Sequence, residues 1–570
     1  MHWQIKEKAS KEKTQNLVDQ LGVTSLVAQL LVQREVETFD QAKSYFRPNI
    51  ESLHDPFLMK GMNLAVDRLI DAISNNQRIL VYGDYDVDGS TSVAMFYYFL
   101  TQQYKNVEYY IPDRYLEGYG VSDASIDYAI KNNFELVITI DCGIKAVDKV
   151  TRAKESGVDF IICDHHTPGA TIPDAVAVLD PKQTDCNYPF DELCGCGVAF
   201  KLIQAFCIQN GIDDEVWVSL LEFVAIATSC DIVPMVGENR TLTYFGLKQL
   251  NSSSRAGIKS MIELTGYSIP LNVTNVVFGI GPRINAAGRI DHAHGAVKLL
   301  LAKTDEEAQQ LGKQVNRLND ERRELDKAIT LEALSMIESQ EDYENLYSSV
   351  LFKDDWHKGV IGIVASRCIE KHYKPTIIFS ESNGKLTGSA RSVSGFDIYN
   401  AINRCSDLLL QFGGHKYAAG LALEKSNLEA FQNKFESVVA EDILPHQRIP
   451  FINVDAEIKP TDINESLQRI LAQMEPFGPQ NMRPVFAILN AESLEGSVRI
   501  LKQDHLKFKI KTEDNQGIDA IAFGMADKEV LVGQGEFKLC FTIELNTYRG
   551  ISAIQLMVRD IQPIALIAQV

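Results

Sequence analysis

The sequence has no CxxC pair, no uninterrupted apolar run approaching the ~18 residues of a membrane span, and a deficit of positive charge. Ten cysteines are scattered along 570 residues, a distribution that indicates neither a zinc ribbon nor a disulfide framework. Cys163, Cys230 and Cys540 lie in apolar runs and read as reduced core thiols. The first residues, "MHWQIKEKASKEK", lack the apolar core of a signal peptide. These absences point to the cytoplasm and to no membrane partner. Asp and Glu number 76 against 56 Lys and Arg, a net charge of −20. Taken alone, this argues against general attraction to a nucleic acid, so any such contact must use a local basic groove or metal ions. Neither an internal repeat nor a low-complexity tract is present.

The rest is ordinary globular material, 45% hydrophobic and 23% charged, long enough for several domains. After a segment of short helical patterns broken at Pro48 and Pro56, strand-length apolar runs occur at "RILVYG", "VEYYIP", "ELVITID", "FIICD" and "AVAVLD". Helical segments such as "STSVAMFYYFLTQQY" and "KAVDKVTRAKESG" alternate with them. Continuous apolar strands alternating with helices predict a parallel sheet covered on both faces. Residues 304–338 read as one charged helix, with Leu311, Val315, Leu318, Leu325, Ile329 and Met336 on a single stripe. Arg322 and Glu332 interrupt its heptad, which favours a connector over an oligomeric coiled coil. "SSVLFKDDWHKGVIGIVASRCIEKHYKPTIIFS" opens a second α/β domain, and beyond residue 446 period-two segments such as "HLKFKIK" and "FKLCFTIEL" predict a small β-barrel or sandwich.

Sites in an open parallel sheet form beyond the carboxyl ends of its strands. Asp84, Asp86 and Asp88 follow the first apolar run, Asp141 follows the third, and Asp164, His165 and His166 follow the fourth. Asp231, after the apolar helix "LLEFVAIATSC", can reach the same edge. One DxD alone also suits a turn or a helix cap. Several acidic ends converging beside two imidazoles require a positive partner, and hard oxygen donors with imidazole suit Mn²⁺ or Mg²⁺. Two such ions could clamp the oxygens of a phosphoryl displacement.

Other residues keep two readings. In "GSARS", Ser389 and Arg391 project from one face of an extended segment, suiting a terminal phosphate or a solvated turn. "FGGHKYAAG" surrounds His415 with small residues, for close approach of a nucleic-acid backbone or for tight packing. Arg114, Arg283 and Arg289, in Gly-rich loop contexts, are phosphate contacts or surface ion pairs. In "HLKFKIK", Lys507, Lys509 and Lys511 share a face that is a solvated exterior or a single-strand track. Cys194 and Cys196 form only a CxC, which reads as structural.

"DYDVDG", "ITIDCG", "DHH" and "SCDIVP" stand in the order and spacing of the four motifs of the DHH phosphoesterase superfamily. "IPDRYLEGYG", "LCGCGVAFKL", "GPRINAAGRID", "WHKGVIGIVASR", "GSARS", "FGGHKYAAG" and "NTYRGISAIQLMVRDI" resemble its RecJ branch, single-strand-specific 5′→3′ exonucleases. Two departures stand out: Tyr82 where many superfamily members have His, and "FGPQNMRPVF" in place of a glycine-asparagine-proline pattern.

The resemblance implies an N-terminal extension over 1–60, a DHH core over 61–300, a connecting helix over 301–340, a DHH-associated substrate-binding domain over 341–445 and an OB-fold over 446–570. It implies one ion on Asp86, Asp141 and Asp84, and another on Asp88, Asp141, His165 and Asp231. Asp141 would bridge them, and His166 would contact the scissile phosphate or assist protonation. Ser389, Arg391, Arg114, Arg283, Arg289 and His415 would bind substrate. The implied activity is hydrolysis of single-stranded DNA from the 5′ end in recombination and repair, by a monomer working with a single-strand-binding protein and a helicase. The alternatives are a phosphodiesterase of short oligonucleotides or cyclic dinucleotides, and a non-catalytic DNA-binding scaffold.

Overall fold

The computed structural model describes residues 1–382 and 384–564 and divides into two compact units. Residues 55–231 and 246–450 form the larger unit; residues 1–54, 232–245 and 451–570 form the smaller.

The larger unit opens with five strands: β1 (Ile79–Gly83), β2 (Val107–Tyr110), β3 (Leu136–Ile140), β4 (Asp159–Cys163) and β5 (Ala177–Leu179). They pair in parallel in the order β2-β1-β3-β4-β5. β1 and β3 are buried at every position, as unbroken apolar runs require in a sheet covered on both faces. Helices α1 (Val87–Gln103), α2 (Gly195–Asn210) and α3 (Leu221–Cys230) pack together, and the hydrophobic residues of α3 are buried all round. Helix α4 (Gly281–Ile290) carries "GPRINAAGRI". The glycine-rich loop expected there is thus a helix, and its glycines mark close approaches: a Cβ at Gly281 would meet Cys230 Sγ at 2.7 Å, and one at Gly288 the Tyr85 carbonyl oxygen at 2.8 Å.

The predicted charged helix is α5 (Asp305–Glu338), 34 residues and about 50 Å long at 1.5 Å per residue. Val315 and Ile329 of its stripe are buried and the other four stripe residues half-buried, with Ile337 buried beside Met336. Its two polar interruptions fasten it within the unit. Arg322 donates to Asn319 Oδ1 and lies beside buried Asp326, which also pairs with Arg367 at 2.7 Å. Glu332 accepts from Trp356 Nε1 and Lys353.

A second sheet follows, made of β6 (Ser349–Phe352), β7 (Thr376–Ser382), β8 (Lys385–Arg391), β9 (Gln411–His415) and β10 (Ala418–Leu423), in the order β9-β10-β8-β7-β6. Only β6 and β7 are parallel. Helix α6 (Ile361–His372) packs on β7 and β8.

The smaller unit is built on a mixed seven-stranded sheet. Its strands are β11 (Ala456–Glu457), β12 (Phe486–Ala491), β13 (Arg499–Leu501), β14 (His505–Lys511), β15 (Gly517–Ala522), β16 (Phe537–Tyr548) and β17 (Ile551–Pro563), ordered β11-β12-β16-β17-β15-β14-β13. Of residues 1–60, expected as an N-terminal extension, the first 54 belong to this unit. Leu17, Val27, Leu30 and Leu31 share one core with Phe486, Phe508, Phe537 and Phe541, and His2–Ile5 pairs in parallel with Phe451–Val454. Those short helices pack on one another, and their apolar residues complete a core with the distant sheet. Residues 232–245 join it too: Arg240 donates to the carbonyls of Tyr45, Met474 and Glu475.

All ten cysteines are free. Among the described residues no helix is long and apolar enough to cross a membrane.

Candidate active site

The acidic rim is built from strand ends and helix starts. Asp86 caps α1, accepting from Gly89 N at 3.0 Å. Gly89 must be glycine, since a Cβ would fall 2.4 Å from the Asp84 carbonyl oxygen. One turn into α1, buried Asp88 faces the start of α2 and accepts from Gly195 N at 2.7 Å and Cys196 N at 2.9 Å. Amides at a helix N-terminus favour a carboxylate there. Asp141 takes the left-handed conformation, φ 61°, directly after β3, a strain typical of functional positions.

His165 ties the rim together. Its Nε2 lies 3.1 Å from Asp141 Oδ1, 3.6 Å from Asp231 Oδ2 and 4.0 Å from Asp88 Oδ2. Burial, and then repulsion from His166, push its pKa down to about 3. It therefore stands as the neutral imidazole that ligates metals. Burial first, and neighbouring carboxylates second, push the pKa values of Asp84, Asp141 and Asp231 up, and that of Asp88 to about 7. Asp84 Oδ1 and Asp231 Oδ2 are buried without a hydrogen-bond partner. Crowded carboxylates with free oxygens beside a neutral imidazole are the donor set of hard divalent ions. Asp88, His165 and Asp231 form one compact ligand group, and Asp141, His165 and His166 another.

Asp164 is not on that rim. Its oxygens accept from Ile144 N at 2.9 Å, His165 N at 2.8 Å and His166 N at 3.2 Å, and His166 Nδ1 donates to it at 2.7 Å. It thus fixes the direction of the His166 ring. Burial alone would lower the His166 pKa, but the hydrogen bond and charge of Asp164 raise it. His166 Nε2 meets the Tyr119 hydroxyl at 3.0 Å. Tyr119, between Gly118 and Gly120, was not singled out in the sequence; its only signal is an aromatic residue flanked by two glycines. Tyr82 leaves the rim altogether. Its ring stacks on Tyr110 and its hydroxyl donates to the Gly120 carbonyl.

A second cluster is cationic. Arg391 Nη1 donates to Ser389 Oγ at 3.1 Å. Both side chains abut the start of α6, where a Cβ on Gly362 would fall 2.8 Å from each. Arg289 donates to the Gly359 carbonyl. Burial, followed by the charges of Arg114, Arg391 and Arg322, pushes its pKa down to about 9. Arg114 stacks over Tyr85, 4.7 Å from the ring centroid. Mutually repelling guanidiniums, a hydroxyl and a helix start suit an anion. Arg283 does not join them: its donors are occupied by the Gly279 and Leu264 carbonyls and by Asn316. His415 is exposed at the end of β9, close enough for His166 to lower its pKa further after burial.

In the smaller unit, the Lys507, Lys509 and Lys511 side of β14 alternates with buried Leu506, Phe508 and Ile510, as the period predicts. Lys507 faces Asp519 at 3.8 Å and Lys511 faces Glu492 at 3.0 Å, so acids neutralise two of the three.

The chain is similar to known proteins. Residues 78–228 match the DHH family N-terminal domain, 343–441 the DHHA1 domain and 454–560 the RecJ OB domain. The single-stranded-DNA-specific exonuclease RecJ of Bacillus subtilis is 36% identical over 98% of this chain and 70% of its own length. The chain belongs to the RecJ family. The RecJ of Escherichia coli is 32% identical, over 89% of this chain and 91% of its own. The crystal structure of Thermus thermophilus RecJ with Mn²⁺ superposes with a TM-score of 0.85 at 29% identity, covering 98% of this chain and 79% of that one. The RecJ assignment makes the seven-stranded sheet an OB domain and the second α/β lobe a DHHA1 domain.

Proposed function

We propose that the protein is a single-strand-specific deoxyribonuclease that works from the 5′ end and releases nucleoside 5′-monophosphates with two Mn²⁺ or Mg²⁺ ions. The observation that carries this reading is the pairing, in one unit, of the acidic rim with the arginine–serine pocket. Asp84, Asp86 and Asp141 would hold one ion, and Asp88, Asp141, His165 and Asp231 the other. When bound, such ions neutralise the phosphodiester and lower the pKa of water, so no covalent nucleophile is needed.

The chain's own groups do the rest. Ser389, Arg391, Arg289 and Arg114 receive a 5′-terminal phosphate and hold the first linkage over the rim. His166, kept in orientation by Asp164, would exchange its Tyr119 contact at Nε2 for the reacting phosphate and carry a proton to the departing oxygen. His165 stays neutral and buried as a ligand.

The OB domain favours a polymer over a cyclic dinucleotide as substrate, and the complete acid set weighs against a non-catalytic scaffold. A strand-specific nuclease needs separated strands, so a helicase and a single-strand-binding protein are its natural companions in cytoplasmic recombination and repair. Burial of the α5 stripe within the chain supports a monomer. The test is digestion of end-labelled single- and double-stranded DNA with Mn²⁺. Mononucleotides released from the 5′ ends of single strands alone are expected; endonucleolytic or 3′-end products would overturn the reading.

A further inference from the structure

Along the carboxyl edge of the core sheet, basic side chains stand on both sides of the acidic rim. In spatial order, β2 leads to Asp113 and Arg114, β1 to Asp84, Asp86 and Asp88, β3 to Asp141 and Lys145, β4 to Asp164, His165 and His166, and β5 to Asp180 and Lys182. Four strand spacings separate β2 from β5, roughly 19 Å, more than one terminal nucleotide fills. Both lysines stand on pinned backbone. The amide of Ile144, beside Lys145, donates to Asp164 Oδ2 at 2.9 Å, and the amide of Lys182 donates to Asp180 Oδ1 at 2.8 Å. Neither ammonium has a hydrogen-bond or ion-pair partner among the described residues, although acids outnumber bases in the chain. Lys145 is exposed and Lys182 partly buried. Both add to the field on His415, and Lys182 also acts on His165 and Asp231. The DHHA1 strand end carrying His415 therefore overlooks the same corner.

We propose that Lys145 and Lys182, with His415, hold the phosphate on the 3′ side of the scissile linkage, as the first step of an exit track over β4 and β5. This rests on the exonuclease reading above. Basic groups then flank the acidic rim on both sides. The arginine pocket takes the terminal dianion, the rim takes the linkage to be cut, and the lysines take the next phosphate. A strand laid in the opposite sense would put a bare 3′-hydroxyl among the guanidiniums, so the charge order also sets polarity. The lysines can move to meet the strand because neither is engaged elsewhere.

The test is equilibrium binding to the full-length protein with Mn²⁺, using 5′-phosphorylated oligothymidylates of two, three and four nucleotides whose first linkage is a non-hydrolysable methylene phosphonate. The dinucleotide has no phosphate beyond the scissile position and the trinucleotide has one. The wild type should gain affinity from dinucleotide to trinucleotide. Lys145→Gln/Lys182→Gln should lose most of that gain, roughly tenfold, while still binding the dinucleotide, which also reports that the variant is folded. Its log–log salt slope for the trinucleotide should flatten by about 0.7 per lost contact. A variant that keeps the full gain and slope overturns the exit track and leaves the exonuclease reading standing. A wild type that binds 3′-phosphorylated, 5′-hydroxyl oligonucleotides as well as 5′-phosphorylated ones overturns both.

Discussion

Gly195 lies flat against Asp141: a Cβ at position 195 would stand 2.5 Å from Asp141 Cβ and 2.7 Å from its Cα. The same glycine donates its amide to Asp88 at 2.7 Å. The start of α2 therefore holds two of the proposed ligands at once, and only a residue without a side chain fits. Gly195→Ala should displace Asp141, since a Cβ there would meet its Cα and Cβ below 3 Å. Mn²⁺ affinity should fall by roughly ten- to a hundredfold, as for other supports of metal ligands, with the helical circular dichroism retained. Titration calorimetry reads the affinity; unchanged binding would mean that the rim tolerates the shift and that Asp141 is not a shared ligand.

Asp141→Ala removes the ligand expected to serve both ions. Hydrolysis should drop to background while the fold persists, because burial and then the neighbouring carboxylates disfavour the charged form of this side chain in the metal-free protein. Turnover of labelled single strands near the wild-type rate by a folded variant would sink the two-ion assignment.

The arginine pocket predicts a preference for 5′-phosphorylated over 5′-hydroxyl DNA. Arg391→Ala should erase most of it, since a charge-assisted contact is worth roughly 1.5–3 kcal/mol. Arg283→Ala should leave the ratio of the two rates as it was, because Arg283 serves carbonyls elsewhere. Equal losses in the two variants would move the phosphate site.

The metal-free protein should become more stable on acidification. Asp88 has its pKa raised to about 7, by burial and then by Asp86, whereas an unfolded Asp ionises near ~3.9. Between those values the folded state holds the extra proton, so this group's contribution is full below ~4 and is lost as pH rises through about 7. The melting temperature without metal should rise from pH 8 to pH 6. Asp88→Asn should flatten that dependence, and added Mn²⁺ should reverse its sign. Calorimetric scans at several pH values check this; an apo protein that loses stability between pH 8 and pH 6 would count against a proton-hungry rim.

The convergence of the acidic strand ends was legible in the sequence. Unbroken apolar runs ending at Asp84, Asp141 and His165 are local patterns, and parallel pairing brings every such end to one edge. The long helix was legible for the same reason: a stripe repeats along its own chain. Roles set by partners distant in sequence were not. Arg283 and Arg289 sit six residues apart on one helix, about 120° around its axis, so Arg289 joins the arginine cluster while Arg283 serves the carbonyls of Gly279 and Leu264. Asp164 resembles the ligand aspartates in sequence, yet the amides of Ile144 and His166 turn it into a support. Lys507 and Lys511 lie on the outward face that periodicity assigns, but Asp519 and Glu492 neutralise them there. The first 54 residues show short helices in sequence, while their core partners lie more than 400 positions away in Phe486, Phe508 and Phe537. Periodicity encodes which face of an element is apolar; what that face, or a charge beside it, meets is decided only when the chain packs.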